Sequence, residues 1–141
     1  MRAALEREVK LGVPPGFELP DLGDVGRGLT VEPGGTRVLD ATYYDVDDLR
    51  LIRAGVTVRH RTGDADGEGT WTVKLPDGDA AVEGGLARSE LEVDGPPGPV
   101  PDAIAAMVAS RVRTGALAPV AQLQTTRHRL VVRSADGSMS A

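Results

Sequence analysis

Charged residues recur at every second position in several short segments of this sequence. Glu6, Glu8 and Lys10 have this spacing near the start, and Arg59 and Arg61 form a close pair further on. Because successive side chains of a β-strand point to opposite faces, residues spaced by two share one face of a sheet. The pattern therefore gathers charges on one side of several predicted strands. Its members are Glu6, Glu8, Lys10, Arg59, Arg61, Lys74, Arg88, Glu90, Glu92, Arg127 and Arg129.

This spacing indicates a site for phosphate and a divalent cation. Arginines that share a face repel each other unless an anion lies between them, and two predicted strands carry such pairs. Guanidinium groups bind phosphate through two parallel hydrogen bonds, and clustered carboxylates suit a hard cation that also binds phosphate oxygens. A ladder of ion pairs on the protein surface would produce the same spacing.

The opposite faces of these strands are apolar. Val56 and Val58 alternate with the first arginine pair, and Trp71, Val73 and Leu75 alternate with Lys74. A half-buried antiparallel strand normally has one apolar face in the core and one polar face in water. Alternation does not say which face points inward, so a lipocalin-like barrel with an apolar ligand inside and charges outside fits equally well.

Composition narrows the class of protein. At 141 residues, with 40% hydrophobic and 26% charged residues, the chain is an ordinary soluble globular domain. A net charge of -5 disfavours nucleic acid as a partner. No apolar run approaches the ~18 residues that a membrane helix needs. Because the sequence contains no cysteine, disulfides and thiol nucleophiles are excluded. We expect a cytoplasmic protein that binds neither nucleic acid nor membrane.

Glycine and proline divide the chain into short segments, which is typical of a multi-stranded sheet. Two helices are predicted, at 47–54 with Gly55 as a left-handed stop, and at 101–113. A turn at 135–137 begins a further hairpin. The connections are mostly hairpins, which predicts an α+β fold on an antiparallel sheet. The predicted strands are 5–11, 36–44, 56–61, 70–75, 86–93 and 123–133.

Other residues that could do chemistry are interpreted as structural. His60 and His128 alternate with the arginines, so we expect them on the other face, at the surface and without a catalytic role. Trp71 belongs to the apolar face, where a helix is expected to cover it. Tyr43 and Tyr44 are expected to pack rather than react. No Ser–His–Asp arrangement, P-loop or Rossmann glycine pattern occurs.

An ordered series of motifs resembles the CYTH domain family. EREVK matches the E-x-E-x-K signature of that family near its start. The resemblance covers nearly the whole chain and is closest to CYTH domains that precede a helical CHAD domain, although no CHAD sequence is present. The later motifs, in order, are PDL, ATYYDVDDLRL, GVTVRHRTG, WTVKLP, ARSELEV and LQTTRHRLVVR leading to ADG.

The resemblance implies an eight-stranded antiparallel β-barrel, a triphosphate tunnel with a few flanking helices. The charged faces would line the tunnel, and the apolar faces would point outward, partly covered by helices. Residues 1–141 would form a single CYTH-like domain that lacks its C-terminal strands, because the family's late acidic positions follow the ADG turn.

The resemblance also implies roles for individual residues. Glu6, Glu8 and Lys10 would be catalytic. Mg²⁺ or Mn²⁺ would be bound by Glu6, Glu8, Glu90 and Glu92. The phosphates would be bound by Lys10, Arg59, Arg61, Lys74, Arg88, Arg127 and Arg129.

The function implied is metal-dependent hydrolysis of inorganic triphosphate or a related triphosphate compound, carried out by the full-length protein. The alternative is a polyphosphate-binding module without turnover, serving an attached CHAD domain. An apolar-ligand barrel is the third hypothesis. A homodimer and a CHAD domain in a longer chain are the protein partners that the resemblance leaves open.

Overall fold

The structure is a computed structural model that describes residues 2–22, 26, 28–76 and 86–134. Strands and helices both occur, as the α+β prediction requires. Neither described helix has the length and apolar character to cross a bilayer. In chain order the elements are β1 (Arg2–Glu8), β2 (Thr30–Asp45), α1 (Arg50–Arg53), β3 (Thr57–Thr62), β4 (Thr70–Pro76), β5 (Leu86–Asp94), α2 (Asp102–Val112) and β6 (Ala118–Arg133).

Several boundaries differ from the predicted ones. β1 ends at Glu8, which pairs with Leu86, the first residue of its partner strand β5. Lys10 therefore follows the strand instead of lying within it. β6 begins at Ala118, ahead of the predicted start at residue 123, because a strand can begin with residues that do not alternate. The hairpin predicted at 135–137 lies outside the described residues.

The strands follow the order β1-β5-β4-β3-β2-β6 in one sheet. β1 with β5, β5 with β4, β4 with β3 and β3 with β2 all pair antiparallel. A closed barrel requires its first and last strands to pair. Across the residues that the structure describes, the order instead has two ends, at β1 and β6. The described part of the chain is therefore an open sheet of six strands and not the expected closed barrel, and the predicted total of eight strands is not confirmed.

The chain divides into two compact units, Met1–Lys10 with Leu39–Thr125, and Leu11–Val38 with Thr126–Ala141. In the second unit, Nε of Arg133 donates to Oε1 of Glu32 at 2.6 Å. Oγ1 of Thr36 lies 3.0 Å from Nδ1 of His128. These contacts join the first half of β2 to the second half of β6.

The core of the first unit lies between the sheet and the two helices. Val58, Trp71 and Val73 on the strands are buried together with Ile104 and Val108 of α2. The predictions that the apolar strand faces are covered by helices, and that Trp71 lies beneath one, are confirmed. Because helix side chains fill the apolar face of β3 and β4, these strands do not support an apolar-ligand interior.

Helix α1 is shorter than predicted because the chain before it forms a turn. Leu49 has φ 58°, and its N–H donates to the carbonyl of Val46 at 2.9 Å. The buried carboxylate of Asp45 accepts N–H groups of Val46, Leu51 and Ile52 at 2.7, 3.0 and 3.1 Å. The N–H groups of Leu51 and Ile52 lie in the first turn of the helix and would otherwise lack partners. The predicted stop is confirmed, since Gly55 has φ 76°.

Arg50 joins the two helices. Its Nε and Nη2 donate to the carboxylate of Asp48, both at 2.9 Å, and its Nη1 donates to the carbonyl of Val112 at 2.9 Å. The hydrogen bond from Arg50 lowers the pKa of Asp48, and the same bond raises the pKa of Arg50. Because the pKa of Asp48 is lowered on folding, the pair stabilises the fold at neutral pH, and this contribution is lost as the pH falls through the lowered value.

Candidate functional site

The charged face of the sheet lies opposite the core. Arg59 on β3 pairs with Thr72 on β4, and Thr72 pairs with Glu92 on β5. Residues directly opposite each other on neighbouring strands share a face. Trp71 and Val73 flank Thr72 in sequence and point into the core. The predicted separation of charge from core is therefore confirmed across these three strands.

Two further rows of polar residues flank this one. Arg61 pairs with Thr70, and Thr70 pairs with Asp94, with a hydrogen bond of 3.0 Å from Oγ1 of Thr70 to Oδ1 of Asp94. On the other side, Nζ of Lys74 lies 3.6 Å from Oε2 of Glu90, and these side chains are only 16% and 14% exposed. The predicted residues Arg59, Arg61, Lys74, Glu90 and Glu92 thus share one surface.

Arg59 has an unmet hydrogen-bonding group. Its Nε is buried and has no hydrogen-bond partner among the residues that the structure describes. A buried donor without an acceptor costs about 1–3 kcal/mol, and more when the group is charged. An anion that supplied an oxygen at this position would remove it.

Arg61 is paired within its own hairpin. Its Nε and Nη2 donate to Oδ2 and Oδ1 of Asp64 at 2.6 and 3.0 Å. This two-point geometry is the one with which arginine also binds phosphate. The two arginines of β3 therefore differ, since the guanidinium of Arg61 already contacts a carboxylate.

A cavity of about 580 Å³ opens over these arginines. That volume is within the range of about 300–1,000 Å³ that small-molecule sites have. Its lining includes two guanidiniums and five carboxylates, so it carries an excess of negative charge. A bare polyanion would be repelled, and cations bound to it would lessen this repulsion. The cavity is lined by Arg59, Arg61, residues 63–69, Thr70, Thr72, Glu92, Asp94 and Gly95.

The expected metal ligands do not form a complete site in the described part of the chain. Within it, no three or more histidine, aspartate or glutamate side chains are grouped so as to hold a metal ion. Glu8 is ion-paired with Lys10 at 2.9 Å, and Glu90 is paired with Lys74. The side chain of Glu6 lies outside the described part. The described residues therefore do not by themselves form the expected metal site.

The other predicted site residues either do not line the cavity or have side chains that the structure does not describe. Lys10 is 74% exposed, just beyond β1. The backbone of Arg88 pairs with that of Glu6, and the side chain of Arg88 is not among those described. Arg127 and Arg129 belong to the second unit, where both are exposed. The roles assigned to these residues stay predictions.

His60 is buried, which corrects its predicted surface position. Its side chain lies on the predicted face of β3, opposite the arginines. That face is covered by the core, so only 4% of the residue is exposed. The ring lies against Trp71 with centroids 5.1 Å apart, and its Nε2 is 3.0 Å from the carbonyl of Gly95. Tyr44 also packs on Trp71, at 4.8 Å, as predicted, and His128 is exposed, as predicted.

The bonds around His60 fix one rim of the cavity. Gly95 donates its N–H to the carbonyl of Gly69 at 3.1 Å, and Nε1 of Trp71 donates to the carbonyl of Pro96 at 2.9 Å. Gly69 has φ 106°, and a Cβ there would lie 2.6 Å from the His60 ring. Sequence reasoning missed Gly69 and Gly95 as lining residues. The sequence feature that could have indicated them is their position: Gly69 directly precedes β4 and Gly95 directly follows β5, and both strands carry alternating charged residues.

Comparison with known proteins assigns the family. The CYTH domain family profile matches residues 4–137. The chain belongs to the CYTH domain family. Domains of this family bind triphosphates together with metal, typically Mg²⁺ or Mn²⁺, and the wider superfamily includes triphosphatases and cyclases.

Two curated relatives are uncharacterized proteins of Mycobacterium tuberculosis, from strains CDC 1551 / Oshkosh and ATCC 25618 / H37Rv. Each is 33% identical to this CYTH domain over 138 residues, which is 97% of this chain and 26% of the relative. The chain thus spans about a quarter of the length of the curated relatives that it matches.

His60→Phe is expected to lower the free energy of unfolding by about 1–3 kcal/mol, because it leaves the carbonyl of Gly95 without its donor. His60→Gln, whose amide nitrogen can occupy the position of Nε2, should lose less. Urea denaturation followed by tryptophan fluorescence measures both, since Trp71 is the only tryptophan and touches His60.

The matched control is His128→Phe at the exposed histidine. Its contact with Thr36 is exposed to water, so this change should alter the free energy of unfolding by less than about 0.5 kcal/mol. Equal effects at the two histidines would show that the bond to Gly95 does not hold the rim.

Proposed function

We propose that this CYTH domain binds a linear triphosphate, accompanied by Mg²⁺ or Mn²⁺, on the charged face of β3, β4 and β5, and hydrolyses inorganic triphosphate. The observation that carries the proposal is the buried Nε of Arg59, which has no acceptor among the described residues of a cavity of suitable volume. Membership in a family that binds triphosphates supports the choice of anion.

The charges of the cavity support a triphosphate that arrives with cations. Arg59 and Arg61 would bind phosphate oxygens through their planar forks, and Lys74, two residues after Thr72 on the same face, would add a point charge. The five carboxylates of the lining outnumber the two arginines. Divalent ions bound to the triphosphate would offset part of this excess and of the charge that develops on the phosphates.

The remaining roles are proposed from the family motif. Glu6, Glu8, Glu90 and Glu92 would hold the metal, and Lys10 would act with Glu6 and Glu8 in catalysis. Arg88, Arg127 and Arg129 would extend the phosphate site. In the described residues, Glu8 and Glu90 contact lysines, so metal binding would require those ion pairs to open.

A polyphosphate-binding module without turnover is the second candidate. The ion pairs of Glu8 and Glu90 favour it, because these two carboxylates already contact lysines, whereas Nε of Arg59 has no acceptor among the described residues. In a longer chain such a module would present polyphosphate to an attached CHAD domain. The two candidates share the phosphate site and differ in turnover.

Arg59→Gln is expected to weaken binding of inorganic tripolyphosphate by roughly 10- to 100-fold, the equivalent of losing hydrogen bonds to a charged group of about 1.5–3 kcal/mol. Isothermal titration calorimetry in buffer containing Mg²⁺ measures the affinity. Arg59→Lys keeps the charge without the fork, so its affinity should be intermediate.

Arg111→Gln is the matched control, because it removes an equal charge from an exposed position on α2. Its affinity should stay within about twofold of the wild type, as expected for a distant, screened charge. A loss as large as that of Arg59→Gln would mean that net charge alone governs binding.

Turnover separates the two candidate functions. The enzyme hypothesis predicts phosphate release from inorganic tripolyphosphate when Mg²⁺ or Mn²⁺ is added, and its loss in Glu8→Gln. Colorimetric phosphate assays over time, with a chelator as the metal-free control, measure this. Binding without release would identify the binding module. Full activity in Glu8→Gln would contradict the role assigned to Glu8.

A further inference from the structure

The pair between Arg61 and Asp64 occupies the nitrogens that a phosphate would use. Nε and Nη2 of Arg61 both contact the Asp64 carboxylate, at 2.6 and 3.0 Å. A carboxylate and a phosphate present two oxygens to a guanidinium in the same plane, so both groups cannot occupy the same edge of one arginine.

The two partners are anchored differently. Arg61 lies within β3, where its backbone pairs with Ala41 on one side and Thr70 on the other. Asp64 comes from residues 63–69, which connect β3 to β4 and line the cavity. Arg61 is 18% exposed and Asp64 is 40% exposed. When a ligand takes the guanidinium, the carboxylate is therefore the partner that must move.

Arg59, two residues earlier on β3, has no such pair with a described carboxylate at its Nε. Nε of Arg59 has no acceptor among the described residues, so no described carboxylate competes with a phosphate for it. Two-point binding at the Nε and Nη2 edge of Arg61 requires the bonds to Asp64 to break first. Part of the binding energy is thus used to open an internal pair. The apparent affinity is reduced in proportion to the fraction of molecules in which that pair is open before the ligand binds.

We infer that Asp64 is an internal competitor that sets the affinity of this cavity for triphosphate by occupying Arg61 until the ligand arrives. This inference rests on the proposed function. Since partly exposed ion pairs are weak, Asp64 tunes the site and does not close it. The expected effect of removing it is about two- to fivefold in affinity.

Calorimetric titration of inorganic tripolyphosphate at fixed Mg²⁺ into the whole chain tests this. Asp64→Asn should bind about two- to fivefold more tightly than Asp66→Asn. Asp66 is the matched control, because it lies in the same connection, lines the same cavity and loses the same charge. Thermal melts of both variants establish that each remains folded.

A second pair of variants isolates the contact with Arg61. In an Arg61→Gln background, Asp64→Asn and Asp66→Asn should have equal affinities, since no guanidinium remains to be released. A difference that persists in this background would overturn the inference.

The outcomes also separate this inference from the proposed function. Equal affinities of Asp64→Asn and Asp66→Asn in the native background, with binding still weakened by Arg59→Gln, would overturn the role of Asp64 alone. Absence of binding by the wild type and every variant would overturn both. Binding by Asp64→Asn where the wild type shows none would support the competitor.

Discussion

Alternation along a β-strand is the constraint on which the site depends. In β3 and β4 the side chains Val58, Trp71 and Val73 are buried against the helices. Because neighbouring residues must then point the other way, Arg59 and Thr72 are directed to the opposite face. The energy of burying apolar surface thus orients the charges, which would otherwise repel one another. The cavity is positioned by the core beneath it.

The parts of the fold that alternation controls were predictable. The sequence indicated β3, β4 and β5, the face that carries Arg59, Arg61 and Lys74, and the burial of Trp71, and the structure has these features. The period of two is a local property, so it can be read without knowing which strands pair. The family profile, which matches residues 4–137, agrees with the motif series found in the sequence.

Features that depend on distant pairing were not predictable. His60 was expected at the surface, but its side of β3 is covered, and Gly95, thirty-five residues away, accepts its hydrogen bond. The Asp64 pair depends on the conformation of the connection after β3, which alternation does not specify. The closed barrel was expected from the family resemblance alone. Closure depends on pairing between the first and last strands of the sheet, and β1 and β6 are the two ends of the order among the described strands.

The central claim is that a triphosphate binds the face opposite the helices. Nuclear magnetic resonance of the arginine Nε–Hε groups, during titration with tripolyphosphate and Mg²⁺, tests it most directly. We predict the largest shifts for Arg59, whose Nε is buried without a described acceptor, and for Arg61, with those of Arg53 and Arg111 nearly unchanged. Large shifts on the helices and none at Arg59 would contradict the claim.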